Sequence, residues 1–145
     1  MAITDLQKRR ADLVREHMQA ENDLDYETVM NTFSHPRYEL IGSDTVFDGD
    51  ARVREYFQIS RVPFPDQKNE IIDLHHGEDE IIVELWLRGT HTGPLKTPSG
   101  ELPPTGRKFE VRLCAIFDFE DEKIVCERVY FDQLTIVSQL TAPRP

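Results

Sequence analysis

The fold follows from one stretch of sequence, residues 109–119, which reads FEVRLCAIFDF. Every odd position from Phe109 to Phe119 is apolar, and a period of two is typical of a β-strand with a buried face. In the middle of the stretch, Cys114 and Ile116 make the even face apolar as well. A strand that is apolar on both faces is covered on both. We therefore expect one face to pack on helices, and the other to line a pocket or to meet a second copy in a homodimer.

Further strands are predicted on both sides of this stretch. Long strands are expected at residues 69–75, 80–92, 107–120 and 123–137, with the acidic turn Asp121-Glu122 between the last two, and short strands at 38–41 and 46–47. Residues 94–106 contain four of the nine prolines and are predicted to form a loop.

Three helices are predicted before the long strands. Residues 4–21 have apolar side chains at helical spacing, and Thr4 with Gln7 forms a candidate capping box. Residues 25–33 and 51–60 give the second and third helices. Helices followed by a meander of long strands indicate an α+β fold. A curved sheet that wraps around the helices forms a cone, and the mouth of this cone can hold a small molecule. Because no repeat or linker interrupts the chain, residues 1–145 are expected to form one domain.

The chain is acidic, with 27 Asp and Glu against 17 Lys and Arg among 145 residues and a net charge of −10. This balance argues against binding to nucleic acid or to anionic membranes, which both require basic surfaces. No apolar run approaches the roughly 20 residues of a membrane span, and residues 1–21 lack the apolar core of a signal peptide. Cys114 and Cys126 lie in apolar segments, which predicts free thiols in the cytoplasm; a disulfide is the alternative if their strands pair.

Asp132 is the most informative carboxylate in the sequence. It follows Tyr130 and Phe131 in a segment otherwise built for burial. Burial raises the pKa of a carboxyl group, which can then take up and return a proton near neutral pH. We therefore predict that Asp132 is a catalytic acid/base. The alternatives are a structural ion pair with an arginine or a place at an exposed strand end.

Arg112 is the natural partner of Asp132, as a lone cation in an apolar strand. A two-residue loop, 121–122, would put the two on opposite faces, whereas a three-residue loop, 121–123, would set them directly across from each other with Tyr130 on the same face. Because a slip of one residue reverses every side chain, the sequence leaves both registers open, and we favour the second because it keeps the charges together. Arg112 and Tyr130 are then candidate substrate-binding residues. Arg112 would either bind an anionic group of the ligand or form a resting ion pair with Asp132, and such an ion pair would lower the pKa of Asp132.

His91 is the second candidate catalytic residue. It lies at the end of the strand predicted at 80–92, between Gly89 and Gly93, from where it can reach a cavity mouth. Histidine titrates near neutrality and can exchange hydrogen bonds with a carbonyl ligand; a hydrogen bond to loop backbone is the alternative. Trp86 and His35 complete the candidate substrate-binding residues, although a Trp86 or Phe131 ring could instead fill the pocket.

The sequence predicts neither a metal nor an organic cofactor. It contains no Gly-rich phosphate loop and no G-x-S-x-G elbow. His75 and His76 precede Glu78 and Asp79, but adjacent strand residues point to opposite faces and do not converge on one ion.

Several different short motifs are distributed along nearly the whole chain. They are Phe47-Asp48-Gly49 with Val53-Arg54, Gly89-Thr90-His91-Thr92-Gly93, Pro103-Pro104-Thr105-Gly106-Arg107, Lys123-Ile124-Val125 leading to Glu127 and Asp132, and Gln139-Leu140. Together these motifs resemble the SnoaL-like polyketide cyclase family of the nuclear transport factor 2-like superfamily. Two positions depart from the family pattern, since Val129 stands where a Trp is usual and the turn Asp121-Glu122 lacks a glycine.

The resemblance implies a cone-shaped barrel, a homodimer, and a small hydrophobic carbonyl compound as ligand, with no cofactor. Named cyclases of the family close a ring of a polyketide ester by intramolecular aldol condensation. An Asp takes the α-proton and returns a proton to the new alkoxide. That residue would be Asp132, with His91, Arg112 and Tyr130 orienting the carbonyls. The alternatives are a ketosteroid-isomerase-like isomerase, an epoxide-opening enzyme, or a non-catalytic ligand-binding or dimeric adaptor domain.

Overall fold

The computed structural model describes residues 2–143. Within that range the helices are α1 (Asp5–Asn22), α2 (Tyr26–Asn31), α3 (Asp50–Ser60) and α4 (Gln133–Thr141). The strands are β1 (Arg37–Leu40), β2 (Thr45–Asp48), β3 (Lys68–His76), β4 (Glu80–Thr90), β5 (Leu95–Thr97), β6 (Gly100–Leu102), β7 (Lys108–Glu120) and β8 (Lys123–Tyr130). A single 3-10 turn, Ile41–Ser43, separates β1 from β2.

Six strands form one curved sheet in the order β2-β1-β8-β7-β4-β3, and β5 pairs with β6 in a separate hairpin. Neighbouring strands are antiparallel except β1 and β8, which run parallel. Helix α1 contacts β3 and β4, and α3 contacts β1 and β2. The predicted α+β fold, with helices on a curved and mostly antiparallel sheet, is confirmed.

Helix α1 begins where the sequence predicts. The Thr4 hydroxyl accepts a hydrogen bond from the Gln7 backbone, and the Gln7 side chain accepts one from the Thr4 backbone. This capping box satisfies two amides that would otherwise lack partners. The buried side of α1 carries Val14 and Met18 but also the polar His17 and Glu21. Polar groups therefore enter the core from this helix.

Strand β7 shows the expected alternation. Its odd-numbered residues from Phe109 to Phe119 are buried on the inner face, against the helices. On the other face, which we call the outer face, Cys114 and Ile116 are half-buried. The structure thus leaves a partly apolar outer face, opposite the inner face that is turned toward the helices.

Two predicted segments are wrong in part. The strand expected at residues 123–137 ends at Tyr130, and α4 follows it. The loop expected at residues 94–106 contains the hairpin β5–β6. Both errors arise where a local apolar or proline pattern is compatible with more than one element.

The hairpin between β7 and β8 combines the two registers that the sequence leaves open. Glu120 pairs with Lys123 across a two-residue turn. One extra residue, Val125, then forms a bulge that shifts the pairing by one position, so that Phe117 lies opposite Glu127. The favoured arrangement of Arg112 directly across from Asp132 is not formed, because β8 ends before Asp132 is reached.

No helix within residues 2–143 is both long and apolar enough to span a membrane. Cys114 and Cys126 are free thiols, as predicted, and the Cys126 thiol donates a hydrogen bond to Glu39 at 3.3 Å.

Candidate functional site

A cavity of about 790 Å³ lies between the inner face of the sheet and helices α1 and α3. Its wall is mostly apolar, with Leu85, Phe109 and Val129 from the sheet. The β5–β6 hairpin contributes Leu95 and Thr97 to the wall. A cavity of this volume can enclose a drug-sized ligand. The alternative, a pocket filled by the ring of Phe131 or Trp86, is wrong. Phe131 lines the open cavity and Trp86 is not part of its wall.

Two carboxylates, Glu21 and Glu127, lie in this apolar wall. Glu21 is 9% exposed and Glu127 is 5% exposed. Glu127 reaches the interior because of the β8 bulge. Directly opposite residues of paired strands present their side chains on the same face, and Phe117, opposite Glu127, is completely buried. Without the extra residue the same strand would direct Glu127 to the outer face.

His17 holds the two carboxylates together. Its Nε2 atom lies 3.3 Å from Glu21 Oε1 and 3.2 Å from Glu127 Oε1. Thr32 donates its hydroxyl proton to the carbonyl of Val29 at 2.6 Å. The hydroxyl oxygen of Thr32 is therefore free to accept a hydrogen bond from His17 Nδ1, 2.8 Å away. Both ring nitrogens of His17 thus face acceptors, an arrangement that favours the charged imidazolium.

The three groups shift one another's proton affinity. Burial alone would lower the pKa of His17, but the charge of Glu21 and hydrogen bonds with both carboxylates raise it to about 10. Burial opposes ionisation of Glu21 too, yet the adjacent imidazolium lowers its pKa. For Glu127, burial and then the charge of Glu21 raise the pKa to about 7, against the opposing effect of His17. These directions favour a cluster that holds an imidazolium, an ionised Glu21, and a Glu127 carboxyl group that keeps its proton to a higher pH than a free glutamate does.

Aromatic hydroxyls and one guanidinium complete the polar part of the site. The Tyr38 hydroxyl lies 3.1 Å from His17 Nε2, and burial raises its pKa. The Tyr56 ring lines the cavity and packs against the Tyr38 ring, with 4.8 Å between the centroids and 39° between the ring planes. Burial keeps Tyr56 protonated by raising its pKa. Arg61, which follows α3, also lines the cavity.

His17, Glu21 and Glu127 have the donor types that bind Zn²⁺ or Mn²⁺, and one ligand atom of each lies within 4.8 Å of the other two. Both ring nitrogens of His17 face hydrogen-bond acceptors, so a proton on the imidazole supplies positive charge between the carboxylates. A metal ion would have to displace that proton. The cluster is thus satisfied as a proton-holding network.

Asp132 does not have the environment that the sequence predicts. It is the N-cap of α4, and its side chain accepts hydrogen bonds from the backbone of Leu134 at 3.0 Å and the hydroxyl of Thr135 at 2.7 Å. The bond from Thr135 lowers the pKa of Asp132. The predicted raised pKa and strand location are therefore wrong. Its neighbours Phe131 and Gln133 line the cavity, whereas Asp132 lines a separate shallow depression on the outer face.

Three predicted residues do meet at that depression, which is lined by Arg112, Tyr130 and Asp132 together with Glu84. Arg112 pairs with Glu84 at 3.4 Å and lies over the ring of Trp86, 5.4 Å from its centroid. The Trp86 ring is likewise on the outer face, because Trp86 pairs with Arg112 across β4 and β7. These candidates are grouped, but away from the large cavity.

The two predicted histidines lie elsewhere. His91 is completely buried, and its Nδ1 accepts a hydrogen bond from the Thr105 backbone at 3.2 Å. Burial lowers its pKa. Its ring lies 5.6 Å from that of Phe64, which lines the cavity, whereas His91 itself does not. His35 is exposed and pairs with Asp48 at 2.8 Å. The geometry at His91 corresponds to the alternative in which it anchors a loop.

The sequence of α1 contains a signal for the polar cluster. Positions 10, 14, 17 and 21 form one side of a helix, and three of them, Arg10, His17 and Glu21, are polar residues within its buried side. Polar residues on the buried side of an amphipathic helix need partners inside the core. Glu127 could not be assigned to the interior, because its orientation depends on the bulge.

The family model of the SnoaL-like polyketide cyclases matches residues 11–140, which is most of the chain. The protein belongs to this family. The resemblance drawn from the sequence motifs is thereby confirmed. No curated protein matches the sequence.

Solved structures agree with this assignment of the fold. A candidate SnoaL-like polyketide cyclase from Jannaschia sp. CCS1 has 17% identity and a TM-score of 0.87, with 99% of both chains covered. IdmH, a candidate polyketide cyclase from Streptomyces antibioticus, has 24% identity and a TM-score of 0.75, over 90% of this chain and 97% of that one. A protein with a ketosteroid isomerase-like fold from Catenulispora acidiphila, in complex with trimethylamine, has 14% identity and a TM-score of 0.75, over 90% and 93%. At these identities the likeness shows that this SnoaL-like chain shares their fold.

Proposed function

We propose that this member of the family catalyses proton transfer on a small hydrophobic carbonyl compound, without a cofactor, and that Glu127 is the acid/base. The observation that carries the proposal is a carboxyl group in the wall of an apolar cavity whose pKa burial and Glu21 raise to about 7. A general base is most effective when its pKa is near the working pH. The Glu127 carboxylate fits that requirement, whereas the pKa of Asp132 is lowered and its oxygens cap a helix.

The proposed chemistry is an aldol-type ring closure. The Glu127 carboxylate removes a proton from the carbon next to a substrate carbonyl, leaving an enolate. The enolate carbon forms a bond to a second carbonyl of the same molecule, and the resulting alkoxide takes back the proton from Glu127. The imidazolium of His17 remains between the carboxylates and positions Glu127 through the 3.2 Å contact. A ketosteroid-isomerase-like reaction would use the same first step and return the proton to a different carbon.

The first step can be tested with a simple ketone. We expect the protein to accelerate exchange of the α-protons of 2-tetralone in D2O, measured by proton NMR. Replacing Glu127→Gln should slow the catalysed exchange about 100-fold or more, as expected when a general base is lost. The matched variant Asp132→Asn, which changes the other candidate in the same way, should keep the wild-type rate.

Two results would contradict the proposal. One is a wild-type exchange rate equal to that of the buffer. The other is loss of exchange in Asp132→Asn with retention in Glu127→Gln, which would return the acid/base role to Asp132.

We further propose that the chain forms a homodimer through the outer face. Half-buried Trp86 and Ile116 lie on this face, with Arg112 and Glu84 beside them. In a two-fold interface such opposite charges can pair with their copies. Sedimentation velocity should show a dimer for the wild type and a monomer for Ile116→Glu, while Leu134→Glu, at an exposed position of α4, should remain dimeric. A monomeric wild type would contradict this arrangement.

We also propose a cytoplasmic location, which the free thiols of Cys114 and Cys126 support because reducing compartments keep thiols unpaired. Fractionation of cells that express the protein tests this.

A further inference from the structure

Arg61 lies in the cavity wall and forms no ion pair with a carboxylate among residues 2–143. Its Nη1 donates to the hydroxyl of Ser60 at 3.0 Å, and its Nε is buried and has no hydrogen-bond partner among residues 2–143. Several other arginines of the described chain lie directly against acids, for example Arg54 against Asp50 at 2.8 Å and Arg128 against Asp118. A guanidinium that is partly withdrawn from water and lacks a counter-ion carries an unmet electrostatic demand.

The neighbouring charges do not remove that demand. Glu21 stays ionised within reach of the Arg61 charge, but it already faces the imidazolium of His17 at 3.3 Å. With the carboxyl group of Glu127 protonated, the set formed by His17, Glu21, Glu127 and Arg61 has one net positive charge. The polar end of the cavity is thus cationic when Glu127 is protonated, although the whole chain has a net charge of −10.

We propose that Arg61 forms a binding site for a carboxylate, so that the cavity selects a hydrophobic acid over the neutral compound of the same shape. This inference names the substrate class of the same cavity, and its meaning for catalysis therefore rests on the proposed function. The apolar wall takes the body of the ligand, and the guanidinium takes the acid group through charge-assisted hydrogen bonds. Arg61 and Glu127 line the same cavity. A ligand whose acid group is bound at Arg61 can therefore place the carbon next to its ketone near Glu127.

The test compares two probes with the same ring system. We expect 2-naphthoate to bind the wild-type protein at least tenfold more tightly than the neutral ketone 2-acetonaphthone, measured by isothermal titration calorimetry at pH 6, where Glu127 is mostly protonated. Arg61→Gln should remove this preference while the affinity for the ketone stays within about threefold, which also shows that the cavity is intact. Arg61→Lys should keep part of the preference because it keeps the charge. Arg9→Gln, an equal charge change on an exposed arginine that pairs with Glu122, should bind both probes as the wild type does.

Equal affinities of the wild type for the two probes would overturn the proposal. Retention of the tenfold preference in Arg61→Gln would overturn it as well, because another cation would then bind the acid. Glu127→Gln separates this inference from the proposed function. The variant should keep the preference for 2-naphthoate at pH 6 even if its exchange of 2-tetralone protons proves unchanged, in which case the proposed acid/base role fails and the carboxylate site stands.

Discussion

Replacing Glu127→Gln should make the protein more stable at alkaline pH. In the folded state burial and the charge of Glu21 raise the pKa of Glu127 to about 7, from 4.5 for the free group. A group whose folded-state pKa is raised favours folding fully below its unfolded pKa, and this contribution is lost as the pH rises through the folded pKa. The difference between 4.5 and about 7 corresponds to about 3.5 kcal/mol, at about 1.4 kcal/mol per pH unit. Gln resembles the protonated acid and does not ionise, so the variant avoids this loss.

The assay is urea unfolding at pH 5, 7 and 8.5 at constant ionic strength. At pH 5 the variant should be more stable than the wild type by no more than about 1 kcal/mol, and at pH 8.5 by an amount approaching 3.5 kcal/mol. Glu120→Gln, at an exposed residue of the same hairpin, should show no such trend. If the difference between Glu127→Gln and the wild type is the same at all three pH values, Glu127 does not titrate in this range and the reasoning fails.

Three further predictions follow from other contacts. The wild type should lose about 2 kcal/mol of unfolding free energy between pH 6.5 and 8.5 on account of His17. The pKa of His17 is about 10 in the folded state, so the unfolded chain releases this proton at lower pH than the folded chain does. Urea unfolding that gives equal or rising stability over this range would contradict the prediction. Asp132→Ala should lower the melting temperature by a few degrees by removing the α4 cap, while proton exchange on 2-tetralone stays at the wild-type rate; loss of exchange without loss of stability would show a different role. Gly93→Ala should be destabilised by roughly 1–3 kcal/mol in urea unfolding, since a Cβ there would lie 2.0 Å from the carbonyl oxygen of Val62; a neutral effect would mean that this loop moves freely.

Much of the fold could be predicted from sequence periodicity, because buried faces repeat every two residues in strands and about every 3.6 in helices. The capping box at Thr4 and the alternation of residues 109–119 are local signals, and both were confirmed. Helix α4 was missed because apolar Leu134 and Ile136 are two residues apart and mimic a continued strand. The same segment has Ile136 and Leu140 four apart, the spacing that places both on the buried side of α4.

The candidate site was predicted less well, for a physical reason. The position of Glu127 depends on one extra residue in β8, and nothing in the local sequence marks where a bulge is inserted. The prediction for Asp132 treated apolar neighbours as evidence of burial, whereas those neighbours belong to a strand end and a helix start. The three predicted residues that do share a face, Arg112, Tyr130 and Asp132, lie on the side away from the cavity.

The most direct test of the account is the titration of Glu127 itself. Carbon-13 NMR of protein labelled at the glutamate side-chain carboxyl carbons can follow each carboxyl group between pH 4 and 9. The account predicts one resonance with a midpoint near pH 7 that disappears in Glu127→Gln. A wild-type protein in which every glutamate has titrated by pH 5 would contradict it.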